Sequence, residues 1–243
     1  MQEKIDAIYK NYNAMIAFGD NKEILANYIN NPPLKKQFGM LYADNNGCPD
    51  YELIKNITNI KQYGKLDILI NCPAASHKRS LKIWHQSNKI NLSEALIKIN
   101  KKYWIIREPY GKFQWTFLIG TNWQSFPKFG HLNFYSSTTN KGRDILKRLT
   151  YTAKELSEIE KNGFYDNYRD YLNHPFFKLI KNEALARASN YKGQIICEKC
   201  SCNIAIEPHH LEYPKWGTFD DDGPDKIKMV CRKCHCKLHD KEK

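Results

Sequence analysis

No stretch of the 243-residue chain approaches the roughly 20 consecutive apolar residues that a membrane-spanning helix requires. Its start, Met1-Gln-Glu-Lys-Ile-Asp6, carries charges where a secretion signal needs an apolar run. From these two absences we expect a soluble, cytoplasmic protein without a membrane partner. No G-x-G triplet occurs among the 12 glycines, which removes the usual phosphate-cradling turn of dinucleotide sites. Internal repeats and low-complexity segments are also missing. With 42% apolar residues, 15 tyrosines and 11 phenylalanines, a packed core is expected rather than disorder.

Acidic residues are comparatively scarce: 38 Lys+Arg face 26 Asp+Glu, for a formal charge of +12. That excess points to a polyanionic partner, of which nucleic acid is the commonest. A solvated lysine-rich surface would produce the same count, so the distribution matters more. Residues 1–163 are net +10 and residues 164–243 net +2. A grip on a phosphate backbone is therefore expected mainly from the front segment.

Strand-like and helix-like runs alternate along that segment. Asn13–Phe18, Phe38–Ala43 and Leu66–Asn71 read as strands, with further strands at Tyr103–Arg107 and Gln114–Gly120. Helical spacing covers Lys22–Ile29, Tyr51–Ile60, Arg143–Leu149 and Thr152–Lys161. Short apolar strands alternating with amphipathic helices predict an α/β fold with a mostly parallel sheet and flanking helices. In such a sheet Asp20, Asp44-Asn-Asn-Gly47 and Asn71-Cys-Pro-Ala74 would gather at the carboxyl ends of the strands, where ligands bind. Asn162-Gly163 breaks the pattern and divides the chain into 1–163 and 164–243. Beyond it, Pro175–Ala188 reads as an amphipathic helix with Phe176, Leu179, Ile180, Ala184 and Ala188 on its packing face.

Eight cysteines are present; Cys48 and Cys72 lie alone, and the other six crowd into the last fifth of the chain. Without an export signal, metal ligation fits them better than a disulfide framework. Cys197-x2-Cys200 and Cys231-x2-Cys234 form two knuckles separated by thirty residues. Two such turns close a tetrahedral four-sulfur shell with no open position, the arrangement of a structural Zn2+. Cys202 and Cys236 fall outside the pattern, although either could substitute in one knuckle.

Four of the eight histidines, His209, His210, His235 and His239, fall within 31 residues. If Ile204–Leu211 forms one arm of a hairpin, adjacent side chains point to opposite faces, so His209 and His210 cannot both ligate one ion. His235 and His239 are four apart and share a face if Arg232–Asp240 is helical. His77, His85, His131 and His174 have no partners at ligand spacing.

The order Cys-x2-Cys, His-His, Cys-x2-Cys-His-x3-His resembles the zinc-ribbon branch of the HNH, or ββα-metal, nucleases, over about the last third of the chain. The resemblance implies a small C-terminal ββα-metal zinc domain that hydrolyses phosphodiester bonds in DNA. By position His209, His235 and His239 would hold a catalytic divalent cation, Mg2+ or Mn2+ with Zn2+ or Ni2+ as alternatives, and His210 would be the general base. The family usually places Asn a few residues before the second knuckle; here Lys226 stands there with Asp225 beside it, and Asp225 would brace the loop instead. In the front segment, Gly39–Gly47 followed by Asp67–Asn71 resembles, at a distance, Rossmann-like methyltransferase relatives such as the three-Cys-motif partner family. Too little chain precedes Asn13 for that family's early strand and glycine-rich turn. A degenerate domain that binds or positions nucleic acid is therefore expected over 1–163.

These readings combine into a DNA endonuclease or nickase of phage defence, restriction or phage genome mobility, with RNA or a partner protein of a defence system as further partners. The alternatives are a non-catalytic nucleic-acid-binding zinc protein with a degenerate HNH site, or a methyltransferase-like enzyme with an appended nuclease. Two basic runs, His77–Lys82 and Lys141–Arg148, could contact phosphates or simply be solvated.

Overall fold

The computed structural model describes residues 21–44, 49–73, 91–109, 115–123, 132–190, 192–202 and 204–239. The expected strand at Asn13–Phe18, the run His77–Lys82, and His77, His85 and His131 lie outside them.

Five strands build the main sheet: β1 (Met40–Asp44), β2 (Asp67–Pro73), β3 (Tyr103–Arg107), β4 (Trp115–Thr121) and β5 (Phe134–Ser136), in the order β1-β2-β4-β3-β5. Only β1 and β2 pair in parallel; β2–β4, β3–β4 and β3–β5 are antiparallel. The sheet is therefore mixed, which corrects the expectation of a mostly parallel one. Residues 108–114 are all that separate β3 from β4, too few for the crossover of a dozen or more residues that parallel pairing demands. At the parallel edge two of the three expected strand ends lie side by side. Asp44 faces Asn71 in register, and the Asn71 amide donates to the Asp44 carboxylate at 2.8 Å. Asp20, Asn45 to Gly47 and Ala74 lie outside the described residues.

Eight helices accompany the sheet among the described residues. They are α1 (Asn21–Asn30), α2 (Tyr51–Asn59), α3 (Leu92–Lys98), α4 (Asn140–Thr150), α5 (Ala153–Asn162), α6 (Tyr168–Asn173), α7 (Pro175–Arg187) and α8 (Arg232–His239). Their starts follow local chemistry, since free N–H groups of a first turn need an acceptor. Asp50 caps α2, Asn91 caps α3, Thr139 caps α4, and Thr152 with Glu155 forms a reciprocal capping box on α5. Gly142, in the first turn of α4, sits against the backbone of Ser136, where an added Cβ would meet the carbonyl oxygen at 1.8 Å.

The predicted packing face of α7 is buried as expected, and Phe177 joins it. This helix packs against α3 and β3 on one side and against β7 (Ile227–Val230) on the other. Packing thus runs on across the Asn162-Gly163 break. At Gly163 the chain adopts φ +83° and passes so close to Gly217 that a Cβ would lie 2.9 Å from its Cα. Further polar ties cross the break. Thr138 donates to Glu183 at 2.7 Å, and Asn140 both donates to the Asp221 carboxylate and accepts from its backbone N–H.

The run Lys141–Arg148 lies on α4 and is largely engaged internally. Lys141 and Arg148 both reach Glu108, at 2.7 and 3.2 Å, while Lys147 lies between Asp144 and Asp220. Arg143 is buried and donates to the Thr138 carbonyl.

His174 caps α7, its Nδ1 accepting the Phe176 N–H at 3.2 Å. Its ring lies 5.4, 5.0 and 4.7 Å from those of Phe164, Phe176 and Phe219. Burial, helped by Lys178 and Lys147, lowers its pKa to about 4. The unfolded chain takes up this proton near pH ~6.5 and the folded one only near 4, so the stabilisation is present above ~6.5 and lost as pH falls between the two values. His174→Asn, which keeps a capping acceptor, should flatten the acid side of the stability–pH curve by at most about 1.4 kcal/mol per pH unit. Thermal midpoints measured from pH 7 to 4 check this; parallel native and variant curves would overturn it.

Candidate metal centre

The C-terminal segment is organised by two antiparallel strands, β6 (Glu207–His210) and β7, followed directly by α8. Strands of four residues cannot stand alone in water. Two tethers hold this pair. In the first, the Arg187 guanidinium at the end of α7 pairs with both oxygens of Glu198 at 2.9 and 3.0 Å and donates to the carbonyls of Pro224 and Ile227. Glu198 in turn accepts the Met229 N–H at 2.6 Å.

The second tether is the four-cysteine cluster. Sulfurs of Cys197, Cys200, Cys231 and Cys234 all lie within 4.8 Å of one another, and Cys200 and Cys231 stand 4.0 Å apart. A zinc ion with bonds of about 2.3 Å to four sulfurs sets them roughly 3.8 Å apart, so the arrangement fits a structural zinc. Burial opposes ionisation of Cys197, yet the backbone amides of Cys231, Cys200 and Lys199 carry its thiol below the ordinary value. Burial and the three neighbouring sulfurs push Cys234 up to about 12. A full set of four thiolates needs a cation to offset the charge. Cys202 and Cys236 are exposed and outside the cluster.

Alternation along β6 divides the histidine pair as the spacing predicts. His209 and Glu207 face α8, whereas His210 faces α6 and α7. Ring nitrogens of His209, His235 and His239 come within 4.8 Å of one another. The Nε2 atoms of His235 and His239 are 3.2 Å apart, close to the roughly 3.3 Å separation of two imidazole nitrogens on one tetrahedral ion. Behind His235, its Nδ1 lies 2.7 Å from Glu207 Oε2, a close electrostatic contact of the kind that orients a ligating imidazole. Arg232 holds the other Glu207 oxygen at 3.0 Å. His209 is buried and His239 exposed, so this cluster opens to solvent on one side.

His210 is only 3% exposed. Its ring is stacked between Tyr213 and Phe177, with centroids 4.8 and 5.6 Å away. Nε2 lies 2.8 Å from the Tyr171 hydroxyl, which donates to Asp222 at 2.7 Å. Because the one phenolic hydrogen goes to Asp222, the imidazole must donate Nε2–H to the phenol. Its lone pair is then on Nδ1, which has no hydrogen-bond partner among the described residues. Burial, with His209 adjacent, lowers the His210 pKa to about 4, so the ring is neutral at neutral pH. Burial and the bond to Asp222 drive Tyr171 far above its ordinary value. The Asp222 carboxyl is raised by burial, against the opposing pull of Tyr171 and Arg143.

All eight residues singled out from the sequence therefore fall into the two clusters or beside them. Those it missed are Glu207, Tyr171, Asp222 and the Arg187–Glu198 pair. Asp225, expected to brace the loop, lies on the short 3-10 turn Pro224–Lys226, its carboxylate near Gly223. The acidic residue tied to His210 is Asp222, and the run Asp220-Asp221-Asp222 was its one visible signal.

Cys231→Ser should remove one zinc equivalent per chain and markedly lower the thermal midpoint, since structural zinc carries much of the folding free energy of such small hairpins. Native mass spectrometry beside a melt checks this; unchanged zinc content would refute the four-sulfur site. No protein-family model, curated protein or solved structure matches the chain, so its chemistry is read from these side chains alone.

Proposed function

We propose that the chain is a metal-dependent endonuclease or nickase of the HNH, or ββα-metal, type, hydrolysing phosphodiester bonds in DNA. One observation carries this reading: three imidazoles converge beside solvent on one face of β6, while a neutral imidazole with a bare Nδ1 occupies the other face. Three protein ligands leave a coordination position open, the hallmark of catalytic rather than structural sites. A divalent cation held by His209, His235 and His239 would offset the charge that builds on the phosphate and the departing oxygen.

His210 is the general base. Its Nδ1 takes a proton from the attacking water, and the resulting imidazolium is stabilised through Tyr171 by the Asp222 carboxylate. Tyr213 covers one face of the ring and Nδ1 itself is buried, so a local opening at the ring edge must precede the approach of water and phosphate to Nδ1. The front segment, with net charge +10 over residues 1–163, binds and positions the nucleic acid. Action in phage defence, restriction or genome mobility suits such an enzyme.

The near-complete enclosure of His210 favours a second reading, a non-catalytic nucleic-acid-binding zinc protein with a degenerate site. Plasmid nicking with Mg2+ or Mn2+ separates the two. On the nuclease reading, His210→Ala should lose about 10²–10⁴ in rate, the usual worth of a positioned base, while keeping DNA binding. His239→Ala should lose the second bound divalent ion together with cleavage, and keep the zinc. Full activity of the His210 variant would sink the assignment, and no nicking by native protein on any nucleic acid would favour the second reading.

A further inference from the structure

Beside His210 the surface carries an aromatic cleft of about 270 Å3, lined by Tyr165, Tyr168, Tyr171, Tyr213, Pro214 and Trp216. Large aromatic rings ordinarily go to the core. Here three of them stay in solvent: Tyr168 is 44% exposed, Tyr213 59% and Trp216 61%. Nor are they loosely scattered. Tyr168 stacks on Tyr171 with a centroid separation of 5.8 Å and an interplanar angle of 21°, and Tyr213 stands 6.1 Å from Tyr168 nearly edge-on. Trp216 leans edge-on against Tyr165 at 5.5 Å, and Tyr165 is fixed by its hydroxyl donating to the Thr218 carbonyl at 3.0 Å. The result is a rigid-backed, apolar slot with planar walls. Its volume sits at the lower edge of the range for small-molecule pockets, room for one flat ring system and not for a duplex.

Two neighbours define what could enter. Tyr171 and Tyr213 are walls of the slot and are also the rings that hold His210, through its Nε2 and through stacking. On the far side of Trp216 lies a second, larger groove of about 760 Å3 between α4, α5 and residues 215–220. Five cations, Lys141, Lys147, Arg148, Lys161 and Lys215, line that groove against three carboxylates, Asp144, Glu160 and Asp220; of the five, Lys161 and Lys215 carry no ion pair among the described residues. A slot for a flat apolar ring, next to cations and to the proposed hydrolytic imidazole, matches a nucleotide whose base is unstacked and whose phosphates run along the rim. Base stacking on aromatic side chains beside a cationic track is how single strands are held without sequence readout.

We propose that the Tyr168–Tyr213–Trp216 cleft is a nucleobase-binding subsite, and that the preferred substrate is single-stranded or locally unpaired DNA. This rests on the nuclease reading for its purpose, but binding can be measured without cleavage. Fluorescence anisotropy in magnesium-free buffer, with a short labelled DNA strand, the same strand carrying abasic sites, and a blunt duplex, provides the test. Native protein should prefer the intact strand. Trp216→Ala should weaken strand binding roughly 5- to 150-fold, the range found for removal of one stacking aromatic, while leaving duplex and abasic-strand binding unchanged. Trp216→Phe should restore most of the loss, and Tyr168→Ala should reproduce it; thermal melts confirm that each variant is folded. Equal binding of intact and abasic strands, native-like strand binding by folded Trp216→Ala and Tyr168→Ala, or capture of a polyproline peptide in place of the strand would each overturn the subsite. The two ideas fail separately. Equal binding of intact and abasic strands by native protein that still cleaves removes the subsite alone, whereas preference for the intact strand with no cleavage of any substrate removes the nuclease reading alone.

Discussion

The C-terminal third of the chain depends on four sulfurs being drawn to within reach of a single ion. Two come from the turn at Cys197–Cys200 and two from the start of α8, so β6 and β7 are strung between them. A two-stranded sheet of four-residue strands buries too little to hold its own register. With the cysteine corners and the Arg187–Glu198 pair in place, register is fixed. A slip of one residue along β6 would exchange the surroundings of His209 and His210. Everything that gives these histidines distinct surroundings follows from that register.

The two faces of β6 differ in the chemistry they impose. Towards α8 the surroundings are polar and open, with Glu207 and Arg232 behind His235, which suits an imidazole that shares its lone pair with a cation. Towards α6 and α7 they are aromatic and closed, with one polar thread, from His210 through Tyr171 to Asp222. That thread decides which ring nitrogen of His210 is bare. A histidine in an apolar sleeve with a single fixed donor bond is held neutral and in one tautomer, with its lone pair on Nδ1.

Much of this was legible in the chain. The packing face of α7, the strand Tyr103–Arg107, the two knuckles and the i, i+4 pair on α8 all followed from spacing, because spacing is local. Strand direction was not legible from composition, since an apolar run such as Asp67–Pro73 reads alike beside a parallel or an antiparallel neighbour. The short interval from Arg107 to Trp115 was the usable sign. Tyr171 and Asp222 stayed hidden for another reason: they lie 39 residues before and 12 after His210, and only the fold brings them to it. The run Lys141–Arg148 looked available for phosphates because sequence does not reveal Glu108 and Asp220 packed against it.

Arg187 has one further consequence. Its guanidinium meets the first knuckle through Glu198, the turn before β7 through the Pro224 carbonyl, and β7 itself through the Ile227 carbonyl. A fragment cut at the first cysteine would keep every metal ligand yet strand a carboxylate and two carbonyls without their donor. The portable unit of this protein, in evolution or in engineered fusions, is therefore larger than its ligand set. It begins no later than α7, and retaining the Tyr171 link to His210 moves its start back to α6.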